Sequence, residues 1–208
     1  MVDRIVIVGG GHAGAQCAVS LRQHGFTGEV SLVSADPEPP YQRPPLSKKF
    51  LLGSVGDDQI GLRTPQWYRD KAVSLHLARR ALDLDIDRRR LSLDDGTVLA
   101  YDRLLLATGS RLRRLEVPGA GLDAVHYLRS AEDARRLRRT LAGAARIVIV
   151  GGGYIGLEVA ASARELGLDV TVLEREERLL PRVASGTLAQ AVHRLHAARG
   201  VAVRTGAQ

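Results

Sequence analysis

The stretch VIVGGGHAG at residues 6–14 returns as VIVGGGYIG at residues 148–156, and no other feature limits the possible folds as strongly. Each copy is a short β-branched apolar run that breaks into glycines, the pattern of a buried parallel strand entering a tight turn. Around the first copy, Arg4–Val8 reads as a strand and AQCAVSLRQHG as a helix that stops at Gly25. EVSLVSAD (29–36) follows as a second strand. The second copy keeps this order, with RIVIV (146–150), YIGLEVAASARELG (154–167, stopping at Gly167) and DVTVLE (169–174). Two βαβ units predict an α/β fold of two Rossmann-like, doubly wound parallel-sheet domains, each binding a nucleotide. The expected division is 1–111 and 112–208, with both domains cut short at their C-terminal ends.

Thirty basic against twenty-three acidic residues give a net charge of +7, with only three lysines, Lys48, Lys49 and Lys71. The arginines spread along solvated helix faces, as in AEDARRLRRTLAG (131–143), without interleaved aromatics. This favours an acidic protein partner and not nucleic acid. No run of eighteen apolar residues is present, so no membrane partner is expected. The start MVDRIVIVGGG has no secretory pattern, and Cys17 is the single cysteine. A reducing cytoplasm is the expected compartment, and a two-cysteine redox pair is excluded.

Between the repeats, residues 36–53 hold five of the eight prolines and predict an extended excursion. LSLDDGTVLAY (91–101) alternates around Asp95-Gly96, a hairpin signal. DRLLLATGS (102–110) reads as a further buried strand ending in a glycine turn, and EVPGAG (116–121) as a linker. Ser130 with Asp133 offers a capping box to the helix that follows. Trp67 and Tyr68, after Pro65, are expected to anchor a helix.

Gly9, Gly11 and Gly14 match G-x-G-x-x-G, as do Gly151, Gly153 and Gly156. Such glycines permit the turn, the approach of a pyrophosphate and close helix–strand packing, while the helix N-terminus supplies amide donors. Each unit also calls for a carboxylate at the end of its second strand to accept ribose hydroxyls. Glu174 is the candidate in the second unit, where it would repel a 2′-phosphate and favour NADH, with Arg175 beside it. In the first unit the candidate is Asp36, with Glu38 next. On these grounds alone either turn could hold NAD or FAD.

VIVGGGHAG, LVSADPEPPYQRPPLSK, LLLATGS and VIVGGGYIGLEVAA together resemble the N-terminal part of the FAD-dependent pyridine nucleotide oxidoreductases. Within them the chain is most similar to the ferredoxin reductases of the putidaredoxin reductase type. The resemblance implies FAD on the first turn and NADH on the second. Gly9, Gly11 and Gly14 would hold the FAD pyrophosphate and Asp36 the adenosine ribose. Arg43 and Lys48 match FAD-contacting basic positions, with Lys48 beside the flavin ring. The Ala81 backbone would meet adenine, and Thr108 with Gly109 would close the flavin site. Gly153, Ile155, Gly156 and Glu174 would hold NADH. Glu158 would pair with the lysine near the flavin, and Tyr154 would lie near the nicotinamide. Lys48, Glu158 and Tyr154 are thus the expected catalytic set.

The implied activity is electron transfer from NADH through FAD to a ferredoxin-type iron–sulfur protein. Rubredoxin and monodehydroascorbate-type reductases are the neighbouring alternatives. A non-catalytic gene fragment or nucleotide-binding remnant is the competing class, and an unfinished sheet could be covered by oligomerisation. No metal site is expected: His193 and His196 supply two ligands without a third. His12 is expected to fill its turn, and Cys17 to face the core.

Overall fold

The computed structural model describes residues 2–207. In chain order it contains β1 (Arg4–Val8), α1 (His12–Gln23), β2 (Glu29–Val33), a 3₁₀ turn (Pro44–Ser47), α2 (Lys49–Leu52), α3 (Asp57–Ile60) and α4 (Pro65–Asp70). There follow β3 (Val73–His76), β4 (Ala81–Asp85), β5 (Arg90–Leu93), β6 (Val98–Ala100) and β7 (Arg103–Leu106). The remainder is α5 (Ala131–Leu141), β8 (Arg146–Val150), α6 (Tyr154–Glu165), β9 (Asp169–Leu173), α7 (Gly186–Ala198) and β10 (Val201–Arg204). The chain forms two compact units. One runs to Arg43 and resumes over Asp57–Val117; the other joins Pro44–Gly56 to the chain from Pro118 onward.

In the first unit a parallel sheet of order β3-β2-β1-β7 has two covered faces. Strand alternation sends Ile5, Ile7, Val30 and Leu32 to one side, where they pack with Ala18 of α1 and Tyr68 of α4. Val6, Val8 and Val33 point the other way, onto Leu91 and Leu93 of the antiparallel meander β4-β5-β6 and onto Tyr101 just after it. The meander turns at Gly96, whose φ of 85° suits glycine, so the Asp95-Gly96 hairpin stands as expected. Tyr68 is 1% exposed, and burial pushes its phenol up to about 12. Pro65 opens α4 and Thr64 caps it, which fixes where the aromatic anchor enters the core.

The second unit repeats the 3-2-1 order as β10-β9-β8. Ile147, Ile149, Val170, Val172 and Val201 pack with Leu137 and Leu141 of α5 and with Val159, Ala160 and Ala163 of α6. The Ser130–Asp133 capping box at the start of α5 is fully formed. The opposite face behaves differently: Val148 and Val150 are each 60% exposed. RIVIV therefore reads as a buried strand but half-buries only its odd-numbered isoleucines, because among the described residues no meander lies over the even-numbered valines. LLL of β7 is likewise an edge segment, with Leu106 59% exposed.

The proline-rich stretch 36–53 is not extended throughout. Pro44–Ser47 winds into a 3₁₀ turn and Lys49–Leu52 into a helical turn, because proline's fixed φ near −65° also suits the first turn of a helix. Among the described residues no helix is long and apolar enough to cross a membrane. The open valine face is expected to bind an apolar dye. Replacing Val148 and Val150 by Thr should lower 1-anilinonaphthalene-8-sulfonate fluorescence while leaving the urea midpoint nearly unchanged.

Candidate nucleotide and lysine sites

The two glycine turns are built alike. The Gly9 amide donates to the Val33 carbonyl at 2.8 Å, and the Gly151 amide to the Leu173 carbonyl at 2.8 Å. A Cβ on Gly14 would collide with the Gly9 carbonyl oxygen, and one on Gly156 with the Gly151 carbonyl oxygen. These third glycines therefore let each helix seat directly on its turn. A Cβ on Gly11 or Gly153 would meet nothing within 4 Å. Both are N-cap residues, of α1 and α6, and neither helix has a side-chain cap. By contrast, Ser130 and Ser185 cap α5 and α7 through their hydroxyls. The first-turn amides of α1 and α6 are thus left for an anion, with space before them.

Glu174 directly follows β9 and is 8% exposed. Its Oε2 accepts from the Gly152 amide at 2.7 Å and its Oε1 from the Glu176 amide at 2.9 Å. The neighbouring Arg175 turns outward onto Glu176 at 3.0 Å. The hydrogen-bond pattern makes Ser34 the first unit's counterpart of Glu174. The Ser34 amide donates to the His76 carbonyl as the Glu174 amide donates to the Arg204 carbonyl. Strand β2 thus ends at Val33, before the expected Asp36, because the chain beyond Ser34 leaves the sheet. Asp36 lies two residues past Ser34, where Oδ2 accepts from the Tyr41 hydroxyl at 2.5 Å and Oδ1 from the Glu38 amide at 3.3 Å. The Arg43 guanidinium lies 5.5 Å over the Tyr41 ring. Tyr41, which sequence reasoning passed over, thereby joins Asp36 to Arg43. Ala81 begins β4 beside a register shift. Thr108 and Gly109 follow β7 on the surface, Gly109 with a φ of 71°.

In the second unit the structure brings Lys48 and Glu158 together, with Nζ 2.6 Å from Oε2. Ser47, not singled out in the sequence, donates its hydroxyl to the same oxygen at 2.6 Å. Tyr154 and Ile155 open α6 and are 60% and 56% exposed, so neither serves as helix-start packing. His12 opens α1 and is exposed. Cys17 packs against the first unit's core, and burial pushes its thiol up, away from the reactive thiolate. His196 lies within 3.0 Å of the Val192 carbonyl and 3.3 Å of the Leu157 carbonyl, as a link between helices. His193 and His196 belong to no metal-competent cluster among the described residues. A cavity of about 230 Å³ sits at the Arg4 end of β1, the opposite end from the first glycine turn, lined also by Glu29 and Ala100.

Two uncapped glycine-turn helices on repeated 3-2-1 sheets define a dinucleotide-binding architecture. Residues 3–208 match the family described as pyridine nucleotide-disulphide oxidoreductase, and the chain belongs to it. It is 45% identical over 200 residues to rhodocoxin reductase of Rhodococcus erythropolis, covering 96% of this chain and 47% of that protein. It is 42% identical over 204 residues to rubredoxin-NAD(+) reductase of Pseudomonas putida, covering 98% and 53%. The reductase of the covalent putidaredoxin reductase–putidaredoxin crystal structure superposes with a TM-score of 0.93 at 41% identity, over 99% of this chain and 50% of that one. The chain spans about half the length of these relatives.

The glycine geometry separates packing from ligand space. Gly14→Ala should lower stability by about 2 kcal/mol or more in urea titration, as overpacking does. Gly11→Ala, whose Cβ meets nothing within 4 Å, should change stability by less than about 1 kcal/mol in the same titration.

Proposed function

We propose that this chain takes part in FAD-dependent oxidation of NADH, with electrons passing through FAD to a ferredoxin-type iron–sulfur protein. The observation that carries this reading is the paired set of uncapped helix N-termini, α1 and α6, each facing open space over a G-x-G-x-x-G turn. Gly9, Gly11 and Gly14 would take the FAD pyrophosphate on the α1 amides, with Asp36 and Arg43, joined through Tyr41, toward the adenosine side. The Ala81 backbone would meet adenine, and Thr108 and Gly109 the flavin. Gly153, Ile155 and Gly156 would take NADH on the α6 amides.

FAD, when bound, supplies the two-electron to one-electron conversion that no side chain of this protein can perform. The residues bind and orient. Lys48 offers a cation for charge developing on the reduced flavin, and Glu158 restrains it. Tyr154 would shape the nicotinamide pocket. Glu174 would accept ribose hydroxyls; its carboxylate is already held by the Gly152 amide at 2.7 Å, so a 2′-phosphate would meet a fixed negative charge. A ferredoxin acceptor is supported by relatives such as the ferredoxin–NAD(+) reductase component of the anthranilate 1,2-dioxygenase system of Burkholderia cepacia. The net charge of +7 suits an acidic partner. Rubredoxin is the second reading, favoured by the Pseudomonas putida relative. The cytoplasm is the proposed compartment, and self-association over the open face of β8 the proposed assembly.

Two measurements test the reading. Purified chain should show a stoichiometric flavin spectrum, after FAD addition if needed, that bleaches with NADH and poorly with NADPH. A chain that stays colourless with added FAD would identify a nucleotide-binding remnant instead. Glu174→Gln keeps an acceptor for Gly152 but removes the charge. It should narrow the NADH-over-NADPH preference by about tenfold, the equivalent of one charged hydrogen bond.

A further inference from the structure

We infer that Ser47 and Ser162 are positioning residues that hold Lys48 and Glu158 in a single geometry, an inference that rests on the proposed role of Lys48 beside the flavin. Among the described residues, and tyrosines aside, four polar or charged side chains are buried: Ser34, Ser47, Ser162 and Glu174. Ser34 and Glu174 stand at the glycine turns. Ser47 and Ser162, 4% and 5% exposed, meet each other at the lysine.

Glu158 and Ser162 lie four residues apart, one above the other on the same face of α6. The Ser162 hydroxyl donates to the Ser47 carbonyl at 2.8 Å. The Ser47 hydroxyl donates to Glu158 Oε2 at 2.6 Å, the oxygen that also receives Lys48 Nζ. Lys48 donates in addition to the Pro44 carbonyl at 3.1 Å. The 3₁₀ turn is thus tied to α6 twice through Ser47, once by its backbone and once by its side chain. Downstream, Leu51 is fully buried in the second unit's core. The guanidiniums of Arg135 and Arg138 lie over the Phe50 ring, 5.9 and 5.8 Å from its centroid.

The serines are needed because the ion pair alone cannot fix its own geometry. Its side chains are 45% and 32% exposed, and pairs so open to water hold long side chains only loosely. Hydrogen bonds from buried hydroxyls are shielded from that competition. Ser47 restricts the Glu158 carboxylate, and the carboxylate then restricts the ammonium. Ser162 acts one step further back, by fixing the backbone that carries Ser47.

Because the chain has only three lysines, the inference can be read directly in the 208-residue protein without cofactor, by NMR with ¹³Cε-lysine. Neither Lys49 nor Lys71 forms an ion pair among the described residues, so the Lys48 signal should stand apart; Lys48→Arg assigns it. In Ser47→Ala the signal should move onto those of the other two lysines. It should stay in place in Ser47→Thr, which keeps the hydroxyl, and shift part of the way in Ser162→Ala. Circular dichroism confirms that each variant is folded; if Ser47→Ala is not, Ser162→Ala carries the test. An unmoved Lys48 signal in folded Ser47→Ala, or in folded Ser162→Ala where that variant carries the test, overturns the inference. With FAD added, flavin reduction by NADH should slow about tenfold or more in Ser47→Ala and recover in Ser47→Thr. A Ser47-dependent Lys48 signal in a chain that takes up no FAD would uphold the clamp and reject the proposed function. Normal flavin reduction with a Ser47-independent signal would do the reverse.

Discussion

The close seating of a helix on a glycine turn is the constraint from which the rest of each unit follows. At Gly14 over the Gly9 carbonyl, and again at Gly156 over the Gly151 carbonyl, the helix approaches until no side-chain atom fits between. That approach aims the first-turn amides past the strand end and places the helix's apolar face on Ile7 in one unit and Ile149 in the other. Dispersion between such close surfaces is lost steeply with small separations. The same contact therefore both seats the helix on the sheet and directs its first-turn amides.

The two units diverge around this shared element. In the first, β7 pairs beside β1, and a Cβ on Gly9 would also strike the Ala107 carbonyl. In the second, β8 has no neighbour on that side among the described residues, and Gly151 faces open space. A meander lies on the Val6 and Val8 face in the first unit, whereas Val148 and Val150 remain bare. The polar positions diverge as well. A buried carboxylate caps the second glycine turn, and a buried serine takes that place in the first, leaving negative charge to Asp36 further along the chain.

Pro44–Gly56 interrupts the first unit's sequence yet belongs to the second unit. Its prolines shorten the search for a compact turn by fixing φ before folding begins. The turn's destination is set by Leu51, Phe50 and the two serine hydrogen bonds, all of which engage the second unit. Lys48 is consequently presented by a segment anchored on both sides.

The local features were legible because their causes lie within a few residues. Glycine spacing located both turns, Asp95-Gly96 located the hairpin, and Ser130 with Asp133 located the start of α5. Glu174 was readable because it directly follows its strand, and the pairing of Lys48 with Glu158 followed from family resemblance. Ser47 was not readable: its partners Glu158 and Ser162 lie 111 and 115 residues away, and a serine after prolines ordinarily marks a turn. Nor could apolar pattern alone tell that the valines of the first VIV are covered and those of the second exposed. The sequence by itself determined two glycine turns and their helices, since steric demands on glycine and the periods of strand and helix act locally. Only the tertiary structure decided which faces are covered, which polar groups are buried and what holds the lysine, since these depend on chain segments brought together from more than a hundred residues apart.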